Sequence, residues 1–417
     1  MNELERNSKK GIHYAWIILI AMCIVRSLSA AGINNTGGLF LTPVSSELGV
    51  GVGRLSLYFS VSSIATLLFM PIAGKLMNKF SIKLLIIIAA IMQTVSFIAL
   101  GFMNSVWGWY ILSVPMGIGG AILVNLAGPI LIKRWFKNNT GTALGILMAS
   151  VGVFGAVIQP LVLGMIGSMG WRKTYIFLGG AIAIIILLFS VLFVKNEPQE
   201  KGLAPLEARN QAKPVSTPVT KGITLKTALK SPAFYFLLVF MISITAFGAF
   251  SQHMAPYGES LGYTTAQMGT VLSISMIGST VGAILIGFIS DKLGVFKTTL
   301  IIIVGVITAI ICLAFGGVSY AVFVVGGFLL GLSAMGIPVL APLLTSAFFG
   351  EQDYTAIYSN VMMGPPFASV VLLPVYGFLF DLNGNYSTVL IIMGIFSLIG
   401  TLCILAGWKA KDKLSAT

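Results

Sequence analysis

The 417-residue chain is 57% hydrophobic and only 9% charged, with a mean hydropathy of +0.98. A water-facing domain carries about 25% charged residues, so composition excludes a soluble fold and points to an all-α protein in a membrane. The net charge of +13 does not indicate a nucleic-acid partner, because the charges cluster in short segments between apolar runs, as membrane topology requires.

A membrane span needs about 20 apolar residues. Twelve runs qualify in chain order: 14–41, 54–74, 84–103, 108–132, 142–168, 173–194, 233–256, 265–290, 298–316, 319–346, 355–380 and 386–408. Breaks fall at Gly, Pro, Asn and charge clusters such as GKLMNKFSIK and KRWFKNNTG. Of all Lys and Arg residues, only Arg26, Arg54, Arg172 and Lys173 lie off one face of this topology. That face is the cytoplasmic one by the excess of positive charge, so both termini are expected inside the cell membrane. No cleavable signal peptide is expected ahead of the first span. Cys23, Cys312 and Cys403 sit in apolar segments without disulfide or metal spacing.

Residues 195–231 form the one long polar stretch, rich in Pro, Lys and Glu, and cannot bury a core. The expected domains are therefore an N-terminal half at 1–194, a cytoplasmic linker at 195–231 and a C-terminal half at 232–417. The halves repeat. Gly74-Lys75-Leu76-Met77-Asn78-Lys79 returns 213 residues later as Gly287-Phe288-Ile289-Ser290-Asp291-Lys292, and Pro160 returns 214 residues later as Pro374. Two such halves build a midplane site and alternate access to it in many transporters.

Arg26 lies twelve residues into the first span, where a charge costs roughly 2.5–3.5 kcal/mol on insertion scales. At about 100° per residue, Met22, Arg26, Ser29, Ala30, Ile33 and Gly37 share a face, with Asn34 about 80° away and Asn35 beside it. Arg26 either grips a substrate carboxylate bidentately, or bonds carbonyls of a neighbouring helix, or snorkels to the surface. Asn125 in the fourth span lines a cavity or bonds a helix neighbour. Gln159 is expected to satisfy backbone groups released by Pro160. His253, near the end of the seventh span, titrates in the physiological range as a coupling or gating group, or is a plain hydrogen-bonding residue. Ser275 and Ser279 share a face of the eighth span. Tyr358 and Asn360 precede Gly364-Pro365-Pro366, which should break the eleventh span. No Asp or Glu sits mid-span, which argues against a cation carrier. No phosphate loop is present, and nothing suggests an enzyme, a cofactor or a metal.

The segment GFISDKLGVFK, residues 287–297, matches the loop motif Gly-x-x-x-Asp-Lys/Arg-x-Gly-x-x-Lys/Arg, and on it the chain resembles the major facilitator superfamily over its whole length. The first copy departs from the motif, with Asn78 in place of the acid and Ser81 in place of the glycine. YAWIIL in the first span, KRWFKNNTGTALGILMASVGVFG joining the fourth and fifth, GWRKTYIFLGG opening the sixth and QHMAPYGESLGYTTAQMG after the seventh resemble the monocarboxylate transporter and oxalate/formate antiporter branch.

The resemblance implies twelve helices in two pseudo-symmetric six-helix halves, a carrier functional as a monomer among membrane lipid, and a small organic anion as substrate. It also implies that Asp291 and Lys292 help gate the cytoplasmic side. Basic residues that this branch often carries are replaced here by Asn34 and Ala283, so Arg26 would supply the missing positive charge. The expected binding residues are Arg26, Asn34, Asn35, Asn125, Ser279 and Asn360, with Asp291, Lys292 and His253 in gating or coupling. The alternative expectation is an exporter of amphipathic drugs or aromatic compounds.

Overall fold

The computed structural model of the chain describes residues 13–137, 139–206 and 222–414. Among these, twelve helices are long and apolar enough to cross a membrane. They are α1 Tyr14–Leu41, α2 Arg54–Lys79, α3 Ile82–Leu100, α4 Val106–Trp135, α5 Thr140–Met169 and α6 Trp171–Leu192, then α7 Pro232–Ser260, α8 Gln267–Leu293, α9 Val295–Ala314, α10 Tyr320–Phe349, α11 Tyr354–Phe380 and α12 Ser387–Lys411. Large apolar side chains such as Leu68, Ile111, Ile184 and Leu402 stand exposed. A hydrocarbon solvent accepts such a surface and water does not.

Contacts divide the chain into two compact units, Met1–Ala143 with Ser150–Ala212 and Leu144–Ala149 with Lys213–Thr417. The same pairings recur inside each. α2 packs on α4, α3 on α4 and α3 on α6; correspondingly α8 packs on α10, α9 on α10 and α9 on α12.

The repeat extends to single atoms. On α2 and α4, the Thr66 hydroxyl donates to the Gly117 carbonyl at 2.9 Å, and a Cβ at Gly117 would fall 2.3 Å from the Ser62 carbonyl oxygen. On α8 and α10, 213 or 214 residues later, the Ser279 hydroxyl donates to the Gly331 carbonyl at 3.2 Å. A Cβ at Gly331 would fall 1.9 Å from the Ser275 carbonyl oxygen. Only glycine permits this backbone approach, the usual way helices pack where no hydrophobic effect drives them together.

The first and fourth helices of each unit are interrupted. α1 turns π-helical over Leu28–Asn34 and α4 over Ala121–Leu126. α7 tightens to a 3-10 turn over Phe250–His253, and α10 breaks at Met335. α11 is also broken, between Val361 and Gly364, where the sequence predicts it. Pro338 and Pro365 fall in the first turns of the restarting helices, where a missing N–H is tolerated.

One end of the first unit is clasped by Arg172. Its Nε donates to Glu47 Oε1 at 2.9 Å, Nη1 to the carbonyls of Gly101 and Met103, and Nη2 to Asn104 Oδ1 at 2.7 Å. The guanidinium also lies 4.2 Å from the centre of the Trp171 ring, and Trp171 Nε1 donates to Glu47 Oε2. Hydrogen bonds from Arg172 and then Trp171 hold the exposed Glu47 carboxyl below its ordinary value of 4.5.

Both ends of the polar stretch are docked on their neighbours. Leu206 pairs with the backbone of Trp135 and Lys137, and Trp135 Nε1 donates to the Lys195 carbonyl. Ile223 N–H bonds the Phe349 carbonyl, Leu225 N–H bonds Asp353 Oδ2, and Leu225–Lys230 is helical. Short backbone pairings dock these segments, and composition does not mark them. The middle, 207–221, lies outside the described residues.

Candidate functional site

In α1 the α-helix ends at Ser27 and the π segment begins at Leu28. Arg26, in the last α-helical turn, is 9% exposed and is the one charged residue buried among the described residues. Its Nε donates to the Val124 carbonyl of α4 at 2.9 Å. The local sequence of α4 explains this acceptor. In its π segment Ala127 N–H bonds Ile122, five residues back. The π segment ends at Leu126, and Pro129, which has no N–H, follows in the first turn of the α-helix that resumes at Ala127. Arg26 thus bonds a carbonyl of a neighbouring helix, one of the alternatives open in the sequence, and this bond fixes the base of its guanidinium.

The π segment of α1 changes the face expected from 100° per residue. Residues five apart become neighbours along it, as the Asn35 N–H to Ala30 carbonyl bond at 2.9 Å shows. Ser29 and Asn34 are such a pair, and both reach Gln93 of α3. The Ser29 hydroxyl donates to Gln93 Oε1 at 2.6 Å, and Gln93 Nε2 donates to Asn34 Oδ1 at 3.3 Å. Gln93 is fully buried, while Asn34 and Asn35 are exposed. Gly120 lies across from this pair. A Cβ there would sit 3.6 Å from Gln93 Nε2 and 3.7 Å from Asn34 Nδ2.

Asn125, half-buried in the π segment of α4, donates from Nδ2 to the Gly120 carbonyl at 3.4 Å. Ser27 and Ser150 share a hydrogen bond at 2.8 Å that ties α1 to α5. The structure therefore gathers Asn34 and Asn125 on the π segments of α1 and α4 with Arg26 in the turn just before the first of them, and adds Gln93, which sequence reasoning misses. Its only signal is one amide in the apolar run of α3, where an unpartnered polar group is costly. Gln159, by contrast, makes no hydrogen bond to the backbone near Pro160 among the described residues, against expectation.

In the second unit the expected residues serve the helices that carry them. The single hydroxyl proton of Ser279 is shared between the carbonyls of Ser275 at 3.1 Å and Gly331 at 3.2 Å. Asn360 Nδ2 donates to the Ala356 carbonyl at 2.7 Å, in the last turn before the break in α11. His253 lies between Tyr386 Oη, 3.2 Å from Nδ1, and the Leu373 carbonyl, 3.1 Å from Nε2. A carbonyl only accepts, so Nε2 carries the proton, and the ring ties α7 to α11 and to the start of α12. Asp291 and Lys292 are exposed at the end of α8, with Lys292 Nζ 4.3 Å from the centre of the Phe288 ring. Ala283 is fully buried.

Twelve apolar helices in two repeated sets of six, interrupted at their first and fourth members, define a multi-pass membrane transporter. Residues 22–363 match the Major Facilitator Superfamily, and the chain belongs to that family. The oxalate:formate antiporter of Oxalobacter formigenes is 24% identical over 72% of this chain and 69% of its own. Monocarboxylate transporter 12 of Xenopus laevis is 22% identical over 93% of this chain and 86% of its own. The multi-drug resistance efflux pump PmrA of Streptococcus pneumoniae is 27% identical over 60% of this chain and 61% of its own. The crystal structure of the transporter FucP of Escherichia coli in its outward conformation matches with a TM-score of 0.70 at 15% identity, over 94% of this chain and 99% of that one, a likeness of fold.

Proposed function

We propose that the protein moves a small organic anion, a monocarboxylate or dicarboxylate, across the cell membrane by alternating access. Coupling is by anion exchange or proton symport. In this reading it works as a monomer with both termini in the cytoplasm, residues 1–194 rock against 232–417, and Asp291 and Lys292 act in gating. Arg26 carries the reading: it is buried, basic and anchored through Nε on Val124. An anion in a low-dielectric site needs such a paired charge to offset a desolvation cost of several kcal/mol. Asn34, Asn35 and Asn125 would hydrogen-bond the rest of the substrate. The antiporter and monocarboxylate relatives support the same substrate class. The PmrA relative favours a second reading, export of amphipathic or aromatic compounds.

Counterflow in proteoliposomes, with a panel of carboxylates against cationic dyes, separates the two readings. Arg26→Ala is expected to abolish anion binding and Arg26→Lys to restore it in part, since lysine keeps the charge but loses the planar fork. Affinity is measured by calorimetry on purified protein whose melting curve matches wild type. Wild-type anion affinity in Arg26→Ala would overturn the proposal.

A further inference from the structure

A cavity of about 560 Å³ opens in the second unit, away from the residues assigned to the anion. Its walls are the end of α7, the end of α9 and the start of α12. Ile310, Leu390 and Ile391 make its sides, and Ser260, Asn385 and Ser387 are its polar lining residues. Ser260 is the last residue of α7, Ala314 the last of α9 and Ser387 the first of α12. Three spans therefore reach the edge of the hydrocarbon together at this cavity, which places its mouth at headgroup level.

The walls are held in place. Tyr257 Oη donates to the Leu313 carbonyl at 2.6 Å, Tyr386 Oη bonds His253, and the two tyrosine rings lie 5.5 Å apart. Gly394 leaves a notch in α12: a Cβ there meets nothing within 4 Å. Ordered water needs two to four polar partners, and the aliphatic sides offer none, so the chemistry of the cavity suits a hydrocarbon chain.

Charge narrows the headgroup. The sequence has no Lys or Arg from 231 to 291 or from 298 to 408. An anionic headgroup would find no cation among the residues that line the cavity. We infer that the cavity binds one acyl chain of a phospholipid with a zwitterionic headgroup, whose ester and phosphate oxygens meet Ser260, Asn385 and Ser387.

The test uses the full chain, purified in detergent, stripped of lipid and titrated with phosphatidylethanolamine or phosphatidylglycerol under native mass spectrometry. One phosphatidylethanolamine should be retained at low lipid concentration and phosphatidylglycerol should not replace it. Gly394→Phe, which fills the notch, should lose that one lipid while melting like wild type. If Gly394→Phe does not fold, Gly317→Leu fills the cavity from the α9–α10 turn, where a Cβ would be 3.5 Å from Leu261 Cδ2. Undiminished lipid retention in the folded variant, or equal binding of phosphatidylglycerol, overturns the inference. So does a dimer that Gly394→Phe dissociates, because a second copy would then cover the cavity.

Discussion

At the scale of the residue, Pro129 deserves as much weight as Arg26. It removes a backbone donor just past the π segment of α4, whose Val124 carbonyl accepts Arg26 Nε. Pro129→Ala restores that donor and favours a regular α-helix through the segment that holds Val124. The expected result is a helix at least as stable as wild type and an anion affinity lower by roughly ten-fold or more, the scale of one hydrogen bond to a charged group. Binding calorimetry alongside a melting curve checks this, and unchanged affinity would show that the Val124 contact does not position Arg26. Arg26 was legible in the sequence because a charge in an apolar run is rare and costly. Gln93 and the pairing of Ser29 with Asn34 were not, since they depend on two π segments that composition does not mark. The bond from Ser279 to the Gly331 carbonyl was hidden for a related reason: polarity on a helix face does not reveal which carbonyl takes the proton.

Individual elements show where the fold is intolerant. At Gly331 an added methyl would meet backbone rather than a movable side chain. Gly331→Ala should therefore part α8 from α10 and destabilise the protein by ~1–3 kcal/mol, the usual cost of overpacking. Gly394→Ala, with open space around its Cβ, is the control. Thermal melting of both variants decides, and equal melting would remove the seam from the account.

The Arg172 clasp gives a pH signature. Glu47 has a lowered pKa in the folded state, so its stabilisation is complete above the ordinary value of 4.5 and fades as pH falls through the lower, folded pKa. Glu47→Gln should thus melt slightly below wild type at pH 7, with the gap closing below about pH 4. A gap that widens in acid would contradict the assignment.

For the whole molecule, the twelve spans and the two-fold repeat were readable because hydrophobic length and the 213- or 214-residue offset are properties of sequence alone. Span ends moved by a few residues; α4, for example, runs Val106–Trp135. The docking of the ends of the polar stretch was not readable, because backbone pairing, as at Leu206, leaves no compositional trace. The absence of Lys and Arg from 298 to 408 has one more consequence. Long cationic side chains let a helix end reach the interface when bilayer and protein differ in thickness. Where α9 and α11 finish and α10 and α12 begin, aromatic residues such as Phe315 and Tyr320 must set the depth instead. Mismatch there can be relieved only by tilting or by deforming the lipid. Uptake in reconstituted vesicles should accordingly peak at one acyl-chain length and fall on either side of it.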